Sequence, residues 1–198
     1  MRPISRTALV AALAERIAGL PRPARVIVDG APPAAPERLA AELAEPLCVL
    51  GRPVINVSAW DFLRPASLRL EYGHTDPDAF LDDWLDVKAL EREVLGRGSD
   101  VLPRLWDRER DRAFRAPYQA LPAAGVVILD GTLLLGRGLP ADLTVHLWLS
   151  PAALARRTAQ EERWRLPAYA RYERESAPAA VADVAVKVDD PRHPALLD

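Results

Sequence analysis

Short apolar runs alternate along the chain with segments in which apolar residues recur at helical spacing. Leu9, Val10, Leu13 and Ile17 recur every three or four residues, which predicts a leading helix over residues 6–19. Short, mainly apolar runs predict buried strands at residues 25–29, 53–58, 125–130, 143–149 and 184–188. Further helices are predicted at residues 36–47, 87–95 and 151–163. This alternation predicts an α/β fold with a mostly parallel sheet.

The first strand is followed by the turn Asp29-Gly-Ala-Pro-Pro-Ala-Ala-Pro-Glu37, which leads into the next predicted helix. A strand, a turn and a helix in this order are the setting of a phosphate-binding loop, whose pattern is G-x-x-x-x-G-K-S/T. Gly30 matches the first glycine of that pattern. Ala35, Pro36 and Glu37 stand where the pattern has its second glycine, its lysine and its hydroxyl residue.

These replacements change the chemistry of the turn. The three prolines remove backbone N–H donors, and Pro36 also removes the positive charge. Glu37 places a carboxylate where a triphosphate would lie, so the turn opposes an anion. Arg38 could supply a replacement charge, although a guanidinium is not equivalent to a lysine ammonium. Taken alone, this segment favours a tight strand–helix turn.

The order of further motifs resembles the uridine kinase-like branch of the P-loop nucleoside kinases, especially its short bacterial members. The segments that carry the resemblance lie at residues 26–30, 58–65 (Ser-Ala-Trp-Asp-Phe-Leu-Arg-Pro), 72–80, 83–90, 126–135 and 163–168. The resemblance covers about residues 6–198, and it depends on the order and spacing of motifs that are individually weak.

The resemblance implies one P-loop NTPase-like domain over residues 1–198, with a three-layer fold and a shortened lid at about residues 156–175. The family transfers the γ-phosphoryl group of ATP or GTP to a nucleoside hydroxyl with Mg²⁺. The resemblance implies catalytic positions at Asp61 and Asp130. If the protein is active, it also implies that Asp130 helps to bind Mg²⁺. It implies nucleotide-binding positions at Gly30, Ala35, Pro36, Glu37, Arg38, Arg157 and Arg163. It implies substrate-binding positions at Trp60, Arg64, Tyr72 and His74.

Three of these positions depart from the family pattern or allow another role. Trp60 stands where the family has its catalytic aspartate, and an indole cannot accept the proton. The neighbouring Asp61 is either the base or a carboxylate that caps its own loop. Asp130 is either a Mg²⁺ ligand or the cap of the turn that follows it.

The basic residues are almost entirely arginine. Of 26 lysines and arginines, only Lys88 and Lys187 are lysines, and neither follows a glycine-rich turn. The formal net charge of −2 argues against a nucleic-acid partner. The single cysteine excludes an internal disulfide and a cysteine-rich zinc site. No apolar run is long enough to cross a membrane, so we expect a cytoplasmic protein with no membrane partner.

Three functional hypotheses follow. The favoured one is a degenerate kinase that retains a groove for a nucleoside-like small molecule but is impaired in ATP-dependent phosphoryl transfer. The alternatives are an active nucleoside kinase with an unorthodox loop and an enzyme that uses the nucleoside pocket without ATP. ATP or GTP and Mg²⁺ are implied only for an active kinase, and the oligomeric state is left open.

Overall fold

The computed structural model describes residues 1–197. The strands are β1 (Arg2–Pro3), β2 (Ala24–Gly30), β3 (Val54–Ser58), β4 (Asp100–Val101), β5 (Trp106–Asp107), β6 (Arg112–Ala113), β7 (Gln119–Ala120), β8 (Val126–Gly131), β9 (Leu143–Trp148), β10 (Val184–Lys187) and β11 (Ala195–Leu197). The α-helices are α1 (Arg6–Ala18), α2 (Pro36–Val49), α3 (Ala66–Arg69), α4 (Pro77–Asp82), α5 (Val87–Ala89), α6 (Pro151–Arg157), α7 (Leu166–Ser176) and α8 (Pro178–Val181).

Seven strands form one sheet in the order β1-β11-β10-β9-β2-β8-β3. The five strands from β10 to β3 are parallel, and they are the five that the apolar runs predict. The structure therefore confirms the mostly parallel α/β fold. Strands β11 and β1 add an antiparallel edge that the apolar pattern does not predict. Two short antiparallel ribbons, β4 with β7 and β5 with β6, lie apart from this sheet.

Helices cover both faces of the sheet and create two separate cores. On one face, Leu13 and Ile17 of α1 and Leu43 of α2 pack with alternate residues of β2, β8 and β9. On the other face, Phe80 of α4 and Tyr169 of α7 pack with the intervening residues of the same sheet. This arrangement is the three-layer architecture that strands buried on both faces require.

Two of the predicted helices differ from their predicted form. The predicted helix at residues 151–163 ends at Arg157, because Thr158 is extended with φ −80° and ψ 125°. A 3₁₀ helix over Gln160–Arg165 then leads into α7, so the predicted lid at residues 156–175 contains three helical pieces. The predicted helix at residues 87–95 continues from α5 as a π-helix over Leu90–Val94.

The topology gathers the carboxyl ends of the central strands at one edge of the sheet. Strand β2 lies between β8 and β9, so the turn after Gly30 lies beside the residues that follow both neighbours. In open α/β sheets this edge is where ligands bind. Within residues 1–197, no helix is both long enough and apolar enough to span a membrane.

Candidate functional site

The turn after β2 uses its own backbone donors internally. Pro32, Pro33 and Pro36 have no N–H group, and Pro32–Ala34 forms one turn of 3₁₀ helix. The Ala34 N–H donates to the Ala31 carbonyl at 2.7 Å, and the Ala35 N–H donates to the Pro32 carbonyl at 2.9 Å. Within residues 31–37, only Ala31 and Glu37 have N–H groups outside these pairings. A phosphate cradle needs several converging amides, and this turn does not supply them.

Two positions in the turn keep the geometry of a glycine-containing loop. A Cβ atom on Gly30 would lie 3.1 Å from both the Cβ and the carbonyl oxygen of Leu147, so the close approach of β9 favours glycine there. Ala35 has φ 57° and ψ 58°, which is the left-handed conformation that glycine adopts without strain. Ala35 is also the position at which the phosphate-loop pattern has its second glycine.

The arginines predicted to contact a nucleotide are engaged elsewhere. Arg157 donates to the Pro33 carbonyl and, at 2.9 Å, to the Val188 carbonyl, so it holds the turn in place from the side of α6. Arg38 is largely exposed and pairs with Glu42, one helical turn along α2, at 2.9 Å. Arg163 is exposed and makes a long contact of 3.5 Å with the Thr158 carbonyl.

A cleft of about 670 Å³ opens beside the turn, beyond the carboxyl end of β3. Its walls combine two indole rings with charges of both signs. The lining residues are Pro32, Glu37, Ser58, Trp60, Leu63, Arg69, Trp84, Arg108, Glu109, Glu162 and Arg165. A cleft of this size suits a small organic molecule. Glu37 and Trp60 are the predicted site residues that line it.

Asp130 lies at the carboxyl end of β8, next to the cleft. Its Oδ1 atom accepts a hydrogen bond from Ser58 at 3.4 Å, and Ser58 is one of the lining residues. Burial, together with the nearby carboxylate of Glu37, raises the pKa of Asp130 to about 7. Asp130 and Glu37 therefore place two acidic side chains close together beside the turn.

An aromatic cage closes one side of the cleft around Arg165. The Arg165 guanidinium lies 5.7 Å from the ring of Trp60, 4.9 Å from that of Phe80, 5.5 Å from that of Trp84 and 5.0 Å from that of Trp164. Each of these distances is within the range of a cation–π contact. Glu162 pairs with Arg165 at 2.5 Å, and both residues belong to the 3₁₀ helix of the lid region.

Several predicted site residues lie outside the cleft lining. Asp61 accepts a hydrogen bond from Arg104 Nε at 2.8 Å, so its carboxylate is already paired. Arg64 contacts Asp83 at 3.3 Å. Tyr72 and His74 are exposed on the loop before α4. Their assignments to catalysis and substrate binding stay predictions from the resemblance.

Sequence reasoning missed three arginines of the cleft. Arg69 is buried and lies 5.3 Å from the Trp84 ring, and Arg108 lies 5.2 Å from the Trp60 ring. Arg165 is the third. The chain contains many arginines, and the sequence spacing of these three does not distinguish them from the arginines that are exposed to solvent. The segment around Arg108 carries charges of both signs and resembles an exposed surface.

A buried polar network beneath the turn was also missed. The Asp29 carboxylate is fully buried and accepts hydrogen bonds from the Leu134 N–H at 2.9 Å and the Tyr172 hydroxyl at 3.1 Å. His146 Nδ1 lies 2.7 Å from the same carboxylate. Three chain segments far apart in sequence thus converge on the residue before Gly30. The sequence offered one sign of this network, since Asp29 is a charged residue at the end of a mainly apolar run.

The turn does not fit the triphosphate of a Mg²⁺–nucleotide, because it lacks the converging donors and the lysine that a triphosphate needs. Among residues 1–197, no group of three or more His, Cys, Asp or Glu side chains is arranged to hold a metal ion.

Comparison with solved structures gives the fold. The chain matches a protein described as a possible uridine kinase from Bacillus stearothermophilus with a TM-score of 0.72 and 18% identity, over 89% of this chain and 96% of that one. The chain has the fold of the P-loop kinases. A candidate fructose transport system kinase from Silicibacter sp. TM1040 matches with a TM-score of 0.60 and 23% identity, over 89% of this chain and 98% of that one.

The YGR205w protein also matches, with a TM-score of 0.53 and 10% identity, over 96% of this chain and 95% of that one. No protein-family model and no curated protein matches the sequence. The P-loop kinase fold is thus evident from the structures, whereas the turn after β2 does not match the phosphate-loop sequence pattern.

The left-handed Ala35 leads to a prediction about stability. Replacing Ala35 with glycine should raise the free energy of unfolding by about 0.5–1 kcal/mol, because relief of the left-handed strain exceeds the extra entropy of glycine in the unfolded chain. The midpoint of thermal unfolding should rise by roughly 1–4 °C. The matched control is Ala34→Gly, which lies in the 3₁₀ turn and should be destabilising. A fall in the midpoint for Ala35→Gly would contradict the assigned backbone geometry.

The raised pKa of Asp130 leads to a prediction about pH. Because the folded-state pKa lies above that of the unfolded chain, ionisation penalises the folded state, and stability falls as pH rises from about 4 to 7. Asp130→Asn should therefore unfold at a higher temperature than the unmodified protein at pH 8, by at least about 2 °C, and at the same temperature near pH 4. Thermal unfolding of the two proteins, measured from pH 4 to pH 8, checks both the difference at high pH and its absence at low pH. A constant difference at every pH would show that Asp130 does not titrate in this window.

Proposed function

We propose that this protein is a non-phosphorylating descendant of a P-loop kinase that binds a nucleoside-like small molecule in the cleft. The observation that carries the proposal is the internal satisfaction of the turn at residues 31–37. Three prolines, two internally bonded amides and the Glu37 carboxylate replace a phosphate cradle. Because phosphoryl transfer depends almost entirely on positioning and charge stabilisation, these changes remove what the reaction needs most.

The cleft itself supports retention of a ligand. Its aromatic walls, Trp60 and Trp84, offer flat faces on which a planar base can stack. Arg69 and Arg108 add donors for carbonyl or hydroxyl oxygens of a nucleoside. The solved structures with this fold include proteins described as sugar- or nucleoside-directed kinases, which supports a small polar metabolite as the ligand class.

Thermal stabilisation by added ligands tests the proposal. A ligand that binds the folded state raises the unfolding midpoint, by roughly 5–10 °C at 100 times its dissociation constant. We expect uridine or cytidine at millimolar concentration to raise the midpoint and Mg·ATP to leave it unchanged. Stabilisation by Mg·ATP, together with its turnover in the presence of a nucleoside, would contradict the proposal and favour the active kinase.

A variant with a restored loop provides the matched control. The triple substitution Ala35→Gly, Pro36→Lys and Glu37→Thr recreates the phosphate-loop pattern on the existing Gly30. The backbone at position 35 already has a conformation that glycine accepts. We expect Mg·ATP to stabilise this variant and not the unmodified protein, which would assign the loss of nucleotide binding to the turn.

A further inference from the structure

A second cavity of about 520 Å³ lies between α6, α7 and the carboxyl end of β9. It shares no lining residue with the cleft that contains Trp60. Its walls are mainly apolar, and they include Leu149, Leu154, Leu166 and Trp148. Its volume falls in the range of small-molecule sites. The proposed function makes no use of this cavity.

One polar atom of a residue in the cavity wall, Nε2 of His146, is buried and has no partner within hydrogen-bond distance. The His146 side chain is only 4% exposed. A buried polar group without a partner destabilises the folded state. Such groups in the wall of an apolar cavity are the arrangement that a ligand with a complementary polar group would satisfy.

The buried network fixes which nitrogen of His146 faces a ligand. Nδ1 is held 2.7 Å from the Asp29 carboxylate, which itself accepts a hydrogen bond from the Tyr172 hydroxyl. Burial alone would lower the pKa of His146, but the carboxylates of Asp29 and Glu173 raise it to about 9. At neutral pH the ring is a cation, and Nε2 carries a hydrogen that it can donate.

The carboxylate of Glu173 lies next to Nε2 of His146, where another anionic group could bind. Its Oε1 atom lies 3.7 Å from His146 Nε2, which is close enough for an ion pair and too long for a hydrogen bond. The Glu173 side chain is 41% exposed, so it can turn into solvent when another anion approaches. Arg174 also lines the cavity and adds a second positive charge.

We propose that this cavity binds a small apolar molecule bearing one anionic group, which accepts a hydrogen bond from His146 Nε2 in place of the Glu173 carboxylate. The apolar body of the molecule lies against the leucine and aromatic walls. Aliphatic or aromatic carboxylates are the ligand class that this chemistry selects. The roles of the two charged residues are opposite, since His146 attracts the anionic group and Glu173 competes with it.

Two fluorescent probes of similar shape separate anion recognition from apolar binding. Anilinonaphthalene sulfonate is an apolar anion, and phenylnaphthylamine is its neutral counterpart. We expect the full-length protein at pH 7 to bind one sulfonate probe per chain in a saturable titration. His146→Gln should weaken that binding by about tenfold or more, because a charge-assisted hydrogen bond is lost. Glu173→Gln should tighten it severalfold, because the competing carboxylate is removed.

The neutral probe and a filled cavity serve as controls. Binding of phenylnaphthylamine should change by less than about twofold in both variants, whereas Ala155→Trp in α6 should abolish binding of both probes. Unfolding midpoints verify that each variant is folded, and if His146→Gln does not fold, Glu173→Gln carries the test. Absence of saturable sulfonate binding, or equal responses of the two probes to Glu173→Gln, would overturn the proposal.

Discussion

The buried carboxylate of Asp29 is the constraint on which the functional edge of this protein depends. A carboxylate removed from water must be surrounded by donors, because an unsatisfied buried charge is very costly. Here the donors come from the segment after β8, from His146 on β9 and from Tyr172 on α7. Satisfying one side chain therefore joins the central strand to its neighbour and to the helix of the lid region. Asp29 directly precedes Gly30 and the turn, so the network also holds the start of that turn in place.

The turn after β2 differs from a phosphate-binding loop in the backbone donors that it leaves free. In a working loop, the backbone amides remain free to surround an anion, and a lysine adds charge. In this chain the prolines and the 3₁₀ hydrogen bonds close the turn on itself, while Arg157 fastens it through the Pro33 carbonyl. Ala35 has the left-handed conformation that glycine adopts without strain, at the position of the pattern's second glycine. The turn therefore combines this backbone conformation with a lack of free converging amides.

The fold was predictable from the sequence because strands and helices leave hydrophobic patterns within short segments. Much of the site was not predictable, because it depends on contacts between residues that are far apart in the sequence. Apolar runs such as the one ending at Asp29 predict buried strands, and strands separated by helices predict a parallel sheet. The edge strands β1 and β11 are two and three residues long, too short to leave a pattern. Asp29 and Tyr172 meet across 143 residues, and no spacing rule reports such a contact. Arg165 is likewise one arginine among many until the aromatic rings around it are seen.

We infer that the amide groups of the turn are already hydrogen-bonded within the turn and do not bind phosphate. Amide nuclear magnetic resonance of the isotopically labelled protein measures this directly at Ala34 and Ala35. The structure predicts that both amides exchange slowly with solvent and that their signals do not move when millimolar Mg·ATP or inorganic phosphate is added. Fast exchange of these amides, or a saturable movement of their signals with Mg·ATP, would contradict the account and restore the turn as a phosphate-binding loop.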